Sequence, residues 1–129
     1  MPHPFSCVLA LGIVAALPFA PAHPPQHPPV KQRATERYNA AKTVWERLSG
    51  QPWESLQDCD SGATWSRRLA ESAADAGALT AREAFTQHLT RMQDILATTK
   101  ELYRAHRRTA AGVAALEYHV AEARSLVPR

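Results

Sequence analysis

Between Glu83 and Val127 two consecutive stretches repeat their apolar residues every three or four positions, a rhythm that a helix satisfies and a strand does not. In the first, Phe85, Leu89, Met92, Leu96, Thr99, Tyr103 and His106 step by alternating fours and threes, which keeps one seam facing one neighbour. In the second, Val113, Leu116, Val120, Ala123 and Val127 follow the same rhythm with smaller side chains, as expected where two helices approach closely. Arg107-Arg108-Thr109 lies between them. The threonine can cap a new helix, and Arg104 and the two arginines suit the negative end of the old one. A break near residue 108 follows, and with it an antiparallel helical hairpin with coiled-coil-like seams.

Upstream, Ala34, Tyr38, Ala41, Trp45 and Leu48 mark one face of an amphipathic helix from Val30 to Leu48. Ser49-Gly50 is expected to end it through a left-handed glycine cap, and Pro52 forbids its continuation. Residues 52–57 read as a short helical turn burying Trp53 and Leu56, and Asp58-Cys-Asp-Ser-Gly62 as a turn. A helix then runs from about Thr64 to Ala76, with Trp65, Leu69, Ser72 and Ala76 on its apolar stripe and Gly77 closing it. Thr80 with Glu83 forms a capping box that opens the next helix. Only Pro52 interrupts residues 30–127, and no alternation of β-branched residues marks a strand there. The fold expected is all-α: the hairpin alone or a small three- to four-helix bundle.

The first 29 residues belong to another regime, holding eight of the ten prolines and no Lys, Arg, Asp or Glu. The apolar run Cys7 to Leu17 is too short to cross a bilayer, which takes roughly 20 residues, and reads as the hydrophobic region of a signal peptide. Ala20-Pro21-Ala22 supplies small residues for cleavage near Ala22. The organisation expected is a signal peptide over 1–22, a Pro/His-rich disordered tether over 23–29, and a helical domain over 30–127. Localisation is then periplasmic or secreted, with no transmembrane span after cleavage. Cleavage leaves Cys59 as the sole cysteine, either buried, reactive or available as an intermolecular thiol. A formal charge of +3 is too small and too scattered for a nucleic-acid footprint.

The residues assemble no recognisable catalytic, cofactor-binding or metal set. His88, His106 and His119 read as packed or partly solvated positions. Trp45, Trp53, Trp65, Phe85 and Tyr103 read as core. His23 and His27 on a flexible segment make a poor metal site.

Three resemblances bear on function. Ala63 to Glu71, Ala84 to Met92 and Leu102 to Arg124 resemble the helical segments of TolC-type outer-membrane efflux proteins and of short secreted bacterial proteins built from them. Tyr103, Thr109, Val113, Glu122 and Ala123 fit that family's repeat. His106 stands where the repeat has glycine and Gly112 where it has a capping aspartate. The resemblance implies a periplasmic helical module, and the chain lacks the length and the strands of a pore. Leu89-Thr-Arg-Met-Gln93 is similar to a Leu-Thr-x-x-Gln pattern of Spy- and CpxP-like periplasmic chaperones and metal-stress sensors. Trp53 to Gly62 is similar to the opening Trp-x-x-Leu/Val-x-x-Cys-Glu-Ser-Gly of resuscitation-promoting-factor transglycosylases. That match implies Asp60 at the position of the family's general-acid glutamate, but with a shorter reach and Ala63 in place of the second glycine.

The reading of function is a non-enzymatic exported protein acting by helix–helix association, as an envelope or efflux-associated module. Its interaction seam is Phe85, Leu89, Met92, Leu96 and Tyr103 with Val113, Leu116, Val120 and Val127. Its partner is a second copy or a larger helical envelope protein.

Overall fold

The computed structural model describes residues 28–53 and 55–129; the expected signal segment and residues 23–27 of the tether lie outside the described residues. Four helices follow one another: α1 (Val30–Ser49), α2 (Leu56–Asp75), α3 (Ala81–Arg104) and α4 (Ala110–Leu126). No strand occurs among the described residues, and no helix there is long and apolar enough to cross a membrane. The fold is a small all-α bundle.

Local chemistry explains the helix ends. Thr80 Oγ1 accepts from the Glu83 N–H at 3.2 Å while the Glu83 carboxylate accepts from the Thr80 N–H at 2.8 Å, the reciprocal box expected there. Thr109 caps α4 by accepting from the Gly112 N–H at 3.2 Å. At the end of α2, Gly77 takes φ +69°, and the N–H groups of Gly77 and Ala78 donate to the Ala74 and Ala73 carbonyls. The end of α3 closes in the same way. His106 and Arg107 donate to the Tyr103 and Leu102 carbonyls, and His106 sits at φ +57° without glycine's freedom.

Two expectations need correction. The stretch 58–62 is not a turn: α2 starts at Leu56 and runs through it without a break. Ser55 is the cap, accepting from the Asp58 N–H at 3.1 Å, and Asp58 accepts from the Ser55 N–H at 2.9 Å. Gly62 is buried there because the Trp53 indole lies against the helix backbone; a Cβ on Gly62 would come within 2.6 Å of Trp53 Cη2. The glycine permits a close approach and makes no turn. Nor does Gly50 adopt a left-handed cap. Its φ is −80°, so the stop falls to Pro52.

Side-chain pairs give the directions. Arg37 meets Asp75 at 3.4 Å and Trp45 stacks on Trp53, so α2 runs back along α1. Ser66 meets His88, so α3 runs back along α2, and Lys100 meets Glu117 at 2.9 Å in the antiparallel α3/α4 hairpin. α2 touches each of the other three helices, whereas the backbones of α1 and α3 stay more than 8 Å apart. The main core lies among α2, α3 and α4, where Cys59, Ala63, Met92, Ile95, Leu116, Val120 and Ala123 are buried. A second cluster, Ala70, Ala73 and Ala84, joins α2 to the start of α3, with Tyr38 of α1 packed against it.

α3 meets two helices at once, so its apolar face is wider than one seam. The fully covered residues are Ala84, His88, Met92, Ile95 and Thr99. Leu89 and Leu96 border the main cluster and Phe85 the smaller one, all half-buried. Tyr103 stays 47 % exposed. On α4, Leu116 and Val120 are buried, and Val113 and Val127 are half-buried.

Candidate functional site

Because α1 and α3 both lean on α2 while their backbones stay more than 8 Å apart, a gap runs between them. Arg91 of α3 bridges it, its guanidinium carbon 5.4 Å from the centre of the Trp45 ring on α1. The bridge divides the gap into two clefts. The smaller, about 200 Å³, is walled by Tyr38, Leu69, Ala73 and Leu79. The larger, about 410 Å³, is walled by Trp45, Trp53, Ile95, Asp94 and Leu102, with Arg91 at its edge. Trp45 and Trp53 stack within it, ring centres 6.0 Å apart.

Arg91 is held from behind. Its Nε donates to Ser66 Oγ at 2.7 Å and its Nη2 to the Ser66 carbonyl at 3.1 Å. The same Ser66 Oγ lies 2.8 Å from His88 Nδ1 and shares a hydrogen bond with it. His88 is neutral at pH 7. Burial lowers its pKa to about 4, and the positive charges of Arg91, Arg67 and His119 push in the same direction. Burial also lowers the Arg91 pKa. Ser66 and His88 are closed off from solvent, so the pair clamps α2 to α3.

A second polar set lies between α2 and α4. His119 Nε2 is 2.7 Å from Asp60 Oδ1, and Glu122 accepts from Arg67 at 3.4 Å. His119 Nδ1 is buried without a hydrogen-bond partner, 3.9 Å from Glu122. Asp60, the residue matched to the transglycosylase acid, is an exposed carboxylate tied to this histidine. Among the described residues no group of three or more His, Cys, Asp and Glu is placed to hold a metal ion. His23 and His27 lie outside the described residues.

Cys59 is buried, 3 % exposed, and burial raises its thiol pKa; Asp58 and Asp60 add to that rise and Arg108 opposes it. A bond from Cys59 to another chain requires that end of the bundle to open.

Sequence reasoning did not single out Ser66 or Arg91. Arg91 sits next to Met92 and looks like any charged helix flank; only the placement of α1 opposite reveals its role. Trp45 and Trp53, expected as core, do border the main cluster, yet their other faces wall the larger cleft. No protein-family model, curated protein or solved structure matches the chain.

Proposed function

We propose that this chain is an exported, non-enzymatic helical protein of the cell envelope that takes a helix of a larger envelope protein into the gap between α1 and α3. The observation that carries the reading is the gap itself. Two parallel helices stand apart on a shared floor of α2, in the geometry that receives an amphipathic helix. Met92, Leu116 and Val120 are already covered inside the bundle, so their burial needs no second copy. The apolar run Cys7 to Leu17 and the small residues at Ala20 to Ala22 support export, and the resemblance to TolC-type segments supports an efflux-associated partner.

Site-specific photocrosslinking in the native host tests this. A benzoylphenylalanine at Thr98, which lines the gap, should label one envelope protein, and the same group at exposed Ala114 of α4 should not. Equal labelling from both positions, or none from Thr98, refutes the reading. The mass of the exported form should place its first residue at His23.

A further inference from the structure

The larger cleft carries chemistry that docking of a helix does not require. Its volume of about 410 Å³ falls within the roughly 300–1,000 Å³ typical of small-ligand sites. Its walls are mostly apolar and aromatic, with Asp94 among them, and at its edge lies a cation that has no counter-ion among the described residues. No carboxylate comes within 4 Å of Arg91 among the described residues. Ser66, its hydrogen-bond partner, is neutral and occupies Nε and Nη2 only. Nη1 has no hydrogen-bond acceptor among the described residues, and Arg91 as a whole is half-buried. A half-buried guanidinium in this state bears a desolvation cost that a bound anion would offset.

We propose that the cleft between Trp45, Trp53 and Arg91 binds a small monoanionic amphiphile, a carboxylate on an aromatic or branched apolar body. The carboxylate meets Arg91 Nη1, and the body lies against Trp53, Ile95 and Leu102. One free guanidinium nitrogen suits one negative charge. Asp94 lines the same cleft and is exposed, so a dianion such as a phosphate monoester meets more repulsion than a carboxylate does. A cationic ligand is disfavoured for the reciprocal reason. The Arg91 charge is the less hydrated of the two and acts through the lower local dielectric. The site stands independently of helix docking, although a ligand there and a helix laid along the whole gap exclude one another at Trp53.

Calorimetric titration of the mature protein with 2-naphthoate and with the neutral 2-naphthylmethanol decides the matter. Naphthoate should bind about tenfold or more tightly than the alcohol, the effect of one charge-assisted hydrogen bond. Arg91→Gln should bring naphthoate down to the level of the alcohol. Arg91 also holds Ser66, and that variant can lose its fold; Asp94→Asn touches no core residue and provides the second arm. Removing the like charge should tighten naphthoate binding and leave the alcohol unchanged. Equal affinity for the two probes, no heat at millimolar naphthoate, or weaker naphthoate binding to Asp94→Asn overturns the proposal.

Discussion

Acid should loosen this bundle through one residue before its carboxylates matter. His88 is 2 % exposed and its Nδ1 lies 2.8 Å from Ser66 Oγ, with the Arg91 guanidinium bonded to the same oxygen. Charging the imidazole is opposed first by its burial and then by the positive charge of Arg91 beside it. The folded pKa is accordingly about 4, against 6.5 for the free group. The unfolded chain therefore takes up this proton first as pH falls. Stability is nearly unaffected above about pH 7, falls as pH drops through the interval from 6.5 to 4, and levels off about a unit below that. The size of the loss is about 1.4 kcal/mol at pH 5.5 and about 3 kcal/mol at pH 4. Urea denaturation followed by tryptophan fluorescence at pH 7.0, 5.5 and 4.5 measures it. Carboxylates also titrate toward the acid end, so the comparison is with His88→Gln, which cannot ionise. The gap in stability between the two proteins should narrow by more than 1 kcal/mol between pH 7.0 and 5.5. If the two lines run parallel over that interval, His88 is not held neutral by its surroundings and the clamp has been misread.

Three further outcomes follow from the helix ends and the core. His106→Gly removes the strain of a left-handed non-glycine residue and should stabilise the protein by roughly 1 kcal/mol in urea; a loss of stability would contradict the geometry. Gly62→Ala should cost about 1–3 kcal/mol and shift tryptophan emission to the red, because Trp53 must leave its seat against α2. Leu116→Ala, in a fully buried position, should cost about 2–5 kcal/mol in thermal or urea unfolding.

Periodicity and capping chemistry made most of the fold legible. The break near residue 108, the Thr80–Glu83 box and the glycine stop at Gly77 all follow from residues within five positions of one another. The start of α2 was misread for an instructive reason. Asp58-Cys-Asp-Ser-Gly62 has turn composition, yet Ser55 and Asp58 form the same reciprocal box as Thr80 and Glu83. Gly62 answers to a tryptophan nine residues earlier, and no local rule exposes that. The covered face of α3 was also narrower in the seam reading than in the bundle, since one stripe of positions cannot show that a helix serves two neighbours. The gap was illegible because it depends on which helix backbones stay apart.

The placement of the tryptophans follows from the smallness of the residues at the contacts. Ala34 and Ala41 of α1, Ala63, Ala70 and Ala73 of α2, Ala84 of α3 and Ala123 of α4 are among the covered positions, and alanine is the commonest residue there. Such faces bring helix axes close together and leave no room for an indole between them. The large rings are therefore displaced to the margins of the contacts. Trp65 lies half-buried beneath Arg68, and Trp45 and Trp53 lie across the α1/α3 gap. There each indole is packed on one side and open to a cleft on the other. A bundle with larger residues on these faces would absorb the rings into its core and close the gap. The alanine-rich contacts therefore fix the close packing of α2 against its neighbours and, by the same sterics, the aromatic wall that a ligand or partner helix can use.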